Sequence, residues 1–337
     1  MRNEPAVSVH RTMGGSLSVF LLVLAALPAR AANNEYAGTS GASFMKMGQG
    51  SARAMALGRA YVALAEGTDA LAWNQAGLAL TQQKELSYSY LAYVENIESP
   101  LYFAYAHPIG RSVWGANVAY LSVEGPDASI DARDASGIPL NNQDLVVRNA
   151  FGTLGIGRSF WYEKLFLGAG ARFIHEDVAG AAHDVIVGDA GVLLKPNSVL
   201  ALGGSVQNFG SSKANVATVG RVGAGLRLGD FVTLAVEVNK ASDDTARIGV
   251  GGEFQLPEEY LEVGQVAVRV GYYNADHTGF SYNPTLQNLN LDRSTGLSFG
   301  LGVFTSRIFG YGLGLDWAFV PAGALGSITQ ISAKVKF

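Results

Sequence analysis

Ser298 lies in Gly296-Leu297-Ser298-Phe299-Gly300, a formal match to the Gly-x-Ser-x-Gly elbow that lifts a nucleophilic serine out of a strand-to-helix turn. That chemistry needs an acid and a histidine further along the chain, and no histidine follows Ser298. His175, Asp177, His183 and Asp184 offer nitrogen and oxygen donors for a metal, but at no HExxH spacing, and they read as a solvated loop. Asp127, Asp131 and Asp134, with Asn141 and Asn142, could supply oxygens to calcium, yet the EF-hand glycine and terminal glutamate are missing. Gly168-Ala169-Gly170 opens no helix, so it is no dinucleotide fingerprint. With no cysteine, thiolate zinc sites, iron-sulfur ligation and disulfides are excluded. The sequence therefore predicts no catalytic residue, no metal ligand and no cofactor, and a protein that is not an enzyme.

The elements that carry these residues follow from composition. The chain is 48% hydrophobic and 15% charged, with 42 glycines and a mean hydropathy of +0.17. Its 24 basic and 28 acidic residues are dispersed, which leaves no basic footprint for nucleic acid. Arg2 and Arg11 precede an apolar run at 17–27, and Ala29-Arg30-Ala31 supplies a small-x-small cleavage pattern. Residues 1–31 thus read as a cleavable export signal, the apolar core being far shorter than the roughly 20 residues of a spanning helix. No later run is long enough to span as a helix, so the remaining hydropathy must sit in strands.

Side-chain alternation agrees. Phe309, Tyr311, Leu313, Leu315, Trp317 and Phe319 alternate with Gly310, Gly312, Gly314, Asp316, Ala318 and Val320, and Val266, Val268, Val270 and Tyr272 with Gln265, Ala267, Arg269 and Gly271. These segments run to about 10 residues, as a tilted bilayer-crossing strand requires, against about 5 to 6 in soluble sheets. Fourteen are predicted: 85–93, 101–107, 112–123, 144–158, 164–174, 184–195, 198–208, 218–228, 231–239, 245–254, 261–273, 294–303, 308–319 and 327–337. Connections after even strands are short, while those after odd strands include 94–100, 124–143, 175–183 and 274–293. That parity is expected of an outer-membrane barrel with both ends in the periplasm. Trp161-Tyr162 and Tyr272-Tyr273 are placed as interfacial girdles. A bilayer tolerates no open sheet edge, so the fold class is all-β: a closed, 14-stranded antiparallel transmembrane barrel over 85–337.

Residues 32–84 lack this alternation. The stretch 51–65 has helix propensity, and Thr68 or Asp69 is placed to cap a second short helix, 70–76, ended by Gly77 in the left-handed conformation. Fourteen strands about 4.8 Å apart and tilted about 40° enclose a backbone diameter of roughly 28 Å. Side chains reduce this to a lumen that still admits a helix about 10 to 12 Å wide. The segment is therefore expected to be a hatch in the lumen, seated on inward glycines 168, 170, 223, 225, 249, 251, 300, 302, 310, 312 and 314. Arg53 or Arg59 is expected to meet an inward acid, Glu237, Glu253 or Asp316. Arg172, Arg221, Arg227, Arg247 and Arg269 are the other charges assigned to the lumen.

Residues 44–79, FMKMGQGSARAMALGRAYVALAEGTDALAWNQAGLA, resemble the N-terminal signature of the PorV/PorQ family, which belongs with the FadL-like outer-membrane barrels. That signature pairs a GxRAxAMG-like helix, here Gly50, Arg53, Ala54, Met55 and Gly58, with an NPAGL turn, here Asn74, Gln75, Ala76, Gly77 and Leu78. Gln75 stands where the family has proline. GLSFGLGVF and LDWAFVPAGALGSITQISAKVKF look similar too. The resemblance implies a fourteen-stranded barrel with a hatch that includes Arg53, Arg59, Asn74 and Gly77. It implies a non-enzymatic role of type IX secretion kind, with exported proteins and secretion components as partners. For FadL relatives it implies passive uptake of hydrophobic small molecules instead. Outer-membrane lipid, periplasmic chaperones and the barrel-insertion machinery are the remaining expected partners, Phe337 resembling the assembly signal.

Overall fold

The computed structural model describes residues 50–92, 101–124, 146–178, 181–210, 216–261, 264–274, 296–308, 310–321 and 327–337. The export signal at 1–31, residues 32–49 of the predicted hatch, and the candidate calcium cluster at Asp127, Asp131, Asp134, Asn141 and Asn142 lie outside them.

Fourteen antiparallel strands close into one barrel. They are β1 (Glu85–Ala92), β2 (Leu101–Ile109), β3 (Ser112–Glu124), β4 (Val146–Phe160), β5 (Leu165–Val178), β6 (Ala181–Leu194) and β7 (Leu200–Phe209), followed by β8 (Val219–Leu228), β9 (Val232–Ala241), β10 (Ala246–Leu256), β11 (Gln265–Tyr273), β12 (Leu297–Ile308), β13 (Tyr311–Pro321) and β14 (Ser327–Lys336). Each strand pairs with its neighbours in sequence, and β1 pairs with β14 from Glu85↔Lys336 to Ala92↔Thr329, so no edge is left open. Bulky apolar residues face outward at every second position: Leu86, Tyr88 and Tyr90 on β1, Val266, Val268, Val270 and Tyr272 on β11. An exterior of this kind is stable against hydrocarbon, and the period of two is what puts it there.

One connection departs from the sequence expectation. The predicted loop 175–183 is mostly strand, because pairing between β5 and β6 runs on from His175↔Asp184 to Val178↔Ala181. His175, Glu176, Asp177, His183 and Asp184 hide this extension, since polar residues occupy both faces of the ribbon. The barrel still has a turn end, with connections such as 110–111 and 161–164, and a loop end, which carries 125–145 and 275–295.

The lumen is filled by residues 50–82. Ser51 caps a short helix, Ala52–Ala56, its side chain accepting from the Ala54 N–H. The predicted helix 51–65 stops there because Gly58 and Arg59 both turn left-handed, with φ near 61°. At Gly58 a side chain would overlap the backbone of Val250 and Tyr272, so glycine is required by space as well as by torsion. The second predicted helix is also shorter, Ala70–Trp73, and continues as a 3-10 segment, Gln75–Leu80. Asp69 does not cap it; its side chain is drawn to the barrel wall. Gly77 is not left-handed: a Cβ there would strike the Ala65 carbonyl, so close packing is its reason. Leu57, Tyr61, Leu71, Trp73 and Leu78 join inward-facing Tyr102, Ala119, Phe151 and Ile174 in one apolar core.

Candidate functional site

The seat of the luminal segment is built largely from wall side chains that bind its backbone. Glu237 on β9 accepts from the Tyr61 and Val62 N–H groups at 2.9 and 2.8 Å and from Arg221 at 2.8 Å. Glu85, the first residue of β1, accepts from the Thr68 N–H at 2.8 Å and hydroxyl at 2.6 Å. Ser332 accepts from the Ala52 N–H. Ser298, the residue of the formal esterase motif, donates to the Ala56 carbonyl and accepts from the Gly58 N–H. It fastens a helix end, and no helix follows it.

Ionic contacts complete the seat. Arg53 bridges Glu66 at 2.9 Å and Glu253 on β10 at 2.7 Å; Glu253 also holds Arg269 on β11, which reaches Asp316 on β13 at 2.6 Å. Arg53 thus meets one of its predicted partners, and Asp316 ends the same chain. Glu66 is more acidic than an ordinary glutamate: burial opposes its charge, but Arg53, then Lys336 and Lys195, outweigh that. Asp69 is fully buried and accepts from Lys334 at 2.6 Å, Ser51 at 2.6 Å and the Tyr61 hydroxyl at 3.1 Å. Burial still pushes its carboxyl above the usual aspartate range. Arg59 places its guanidinium over the Tyr273 ring, 4.8 Å from the centroid. Tyr273 therefore faces inward, its hydroxyl donating to Asn239, while Tyr272 alone faces out.

A second anchor lies across the lumen. Asp189 on β6 is buried opposite a bulge in β7, where Asn208 takes a φ of 58°. Asp189 pairs with Arg172 at 2.7 Å and accepts from the Asn208 N–H and from Gln75 Nε2, each at 2.8 Å. Arg172 also donates to Thr153, Asn208 and the Leu71 carbonyl. Asn74 donates to the carbonyls of Val62 and Val192, so it ties two parts of the hatch to β6. Arg247 stays at the loop end beside Asp244, and Arg227 at the turn end.

The inward glycines divide into two groups. At 168, 223, 225, 249, 251 and 300 a Cβ would overlap hatch atoms, and at 170 it would touch Gln75. The same holds at Gly115, Gly155, Gly157, Gly191, Gly203 and Gly271, which sequence reading did not single out. Gly302, Gly312 and Gly314 instead make room for Arg269, Asp316, Phe304 and the lysines of β14, and Gly310 faces open space.

Three other features bear on function. Toward the loop end the inner wall of β3 to β6 carries an apolar patch beside Asn149, Arg172 and Glu176: Ala119, Leu121, Phe151, Ile174 and Val187 face the lumen and join the cluster that contains Leu71 and Trp73. At the turn end two polar cavities, about 230 and 170 Å³, flank Arg53 and Glu66. His175 and Asp184 pair at 2.7 Å on the outer face, whereas Glu176 and His183 share the inner one. The four predicted donors are thus split between two faces, and the described residues hold no group of three or more metal-ligating side chains.

No protein-family profile and no curated protein matches the sequence. Solved structures do. The Ralstonia pickettii toluene transporter TbuX aligns over 85% of this chain and 97% of its own, at 13% identity and a TM-score of 0.57. A Pseudomonas aeruginosa FadL homologue aligns over the same shares at 11% identity and a TM-score of 0.51. The fold is FadL-like. In this FadL-like barrel residues 50–82 occupy the lumen, and β1 follows directly from them.

Proposed function

We propose that this FadL-like barrel sits in the outer membrane and lets a hydrophobic small molecule pass, the hatch serving as a floor that must shift. The turn end then faces the periplasm and the loop end the exterior. One observation carries the reading: the inward apolar patch of Leu121, Phe151, Ile174 and Val187, toward the outer end of the lumen, in one cluster with Leu71 and Trp73 of the hatch. A shift of the hatch uncovers this patch, and an apolar solute leaves water on reaching it. The similarity in fold to a toluene transporter supports the same reading.

Handling of exported proteins, implied by the PorV/PorQ resemblance, would use the surface loops 124–143 and 274–293, nearly all outside the described residues. The apolar wall favours uptake over it. The two are separated by a chromosomal deletion that is complemented either with the wild-type gene or with Phe151→Asn/Ile174→Asn. Slowed entry of a radiolabelled aromatic hydrocarbon in the deletion and the double variant, with surface-protein export intact, supports uptake. Lost export with normal hydrocarbon entry overturns it.

A further inference from the structure

The two cavities at the turn end are lined by more positive than negative charge. The carboxylates there are Glu66, Glu253 and Asp316, and each is already engaged or surrounded by cations. Lys195, in the turn after β6, and Arg227, near the end of β8, line the smaller cavity with Arg53 and Glu66. Neither has a carboxylate within ion-pair distance among the described residues. Lys195 is half-buried and its ammonium is less basic than usual: burial is the larger cause, and Arg227 and Arg53 add to it against the pull of Glu66. Three cations thus line one cavity with a single glutamate, which already belongs to the Arg53 ion chain. The opening is polar, reached by solvent through Arg227, and too small at about 170 Å³ for a large organic ligand.

We propose that this turn-end cavity is a binding site for a small soluble dianion of the phosphate class, held by Lys195, Arg227 and Arg53 in competition with Glu66. Phosphate oxygens suit guanidinium and ammonium donors, and a dianion supplies the charge that Glu66 alone leaves unmatched. An occupied site draws Arg53 away from Glu66, the hatch residue that lines both cavities with it, and so weakens the hold on that part of the hatch. The proposal is independent of what the barrel transports.

The test is a titration of the full chain in neutral detergent with inorganic phosphate, at constant ionic strength in chloride, followed by ³¹P NMR and calorimetry. Saturable binding is expected, weakened about tenfold or more in Lys195→Gln/Arg227→Gln, as loss of charge-assisted bonds requires. Glu66→Gln removes the internal competitor and is expected to tighten binding several-fold, a gain that misfolding cannot mimic. Lys240→Gln, at the loop end, is expected to leave binding unchanged. Heat-dependent gel migration checks that each variant is a closed barrel. Absence of saturation, equal affinity in the Lys195/Arg227 double variant, or no gain in Glu66→Gln overturns the proposal. A clear preference for short-chain phosphatidic acid over inorganic phosphate overturns the soluble source.

Discussion

Gln75 donates from Nε2 to Asp189 Oδ2 at 2.8 Å, which joins the hatch to the one wall carboxylate that also neutralises buried Arg172. The residue before it, Asn74, is extended, with φ −160° and ψ 104°, a conformation that a following proline accepts. Gln75→Pro, the residue of the PorV/PorQ signature, is therefore expected to keep the turn and lose the bond to Asp189. A charged hydrogen bond is worth about 1.5 to 3 kcal/mol, and a proline that fits returns about 0.4 to 1. Hydrogen exchange should show residues 70–80 opening more readily by about 1 kcal/mol, with the strands unaffected. Asp189→Ala is a harsher change: it strands Arg172 and should cost about 3 to 5 kcal/mol in urea unfolding from lipid vesicles.

Glycines that face the lumen should not be equivalent. Gly251→Trp drives a side chain into Leu57, so the hatch must leave its seat, whereas at Gly312 the atoms nearest a Cβ are those of Phe304 and Lys336 on the wall. Hydrogen exchange over 52–64 is expected to rise sharply in the first variant and stay at the wild-type level in the second. Equal protection in both would refute the seating described above.

Arg53 is the hatch residue that ties Glu66, also in the hatch, to the wall groups Glu253, Arg269 and Asp316, and Glu253 keeps Arg269 when Arg53 is lost. Arg53→Leu should accordingly loosen the floor while sparing the wall. Liposome swelling with a small neutral sugar is expected to be faster than wild type. Glu253→Gln should do more damage, because two guanidiniums lose a buried partner, and thermal unfolding should register about 3 to 5 kcal/mol.

Depth in the bilayer can be read from the strands. Leu154, 69% exposed, lies near the middle of β4, while Leu226 lies two residues from the turn end of β8. Arginine at Leu154 should cost about 2 to 4 kcal/mol and arginine at Leu226 about 0 to 1, measured by unfolding from thin bilayers. Equal penalties would show that the outward face is not in contact with hydrocarbon.

The strands were legible because the outer face is apolar and the inner one is not, which prints a period of two into β8, β11, β13 and β14. Where β5 and β6 rise past that environment the contrast vanishes, and His175 to Asp184 looked like loop for that reason. Inside the lumen, local propensity lost to the wall: Gly58 and Arg59 end a helix that alanine and leucine would have continued. Arg53 and Glu253 were visible as opposite charges on facing elements. Asp69, Glu85, Asp189 and Lys334 were not, since their meaning depends on which strands the closed ring brings together and on a bulge at Asn208 that no residue pattern announces.

Lys84 and Phe337 exchange reciprocal backbone hydrogen bonds, next to the Glu85↔Lys336 pair, so the end of β14 zips onto the stretch that leaves the lumen. This imposes an order on biogenesis. The cylinder cannot shut until β14 has been made, yet its cargo precedes the opening strand and is gripped by Glu85 at that strand's foot. The cargo must then be docked on the incomplete wall before the last ribbon arrives, or be drawn in afterwards from below. Either way, maturation time should depend on how fast these 33 or so amino acids find their cradle, and not on ribbon formation alone.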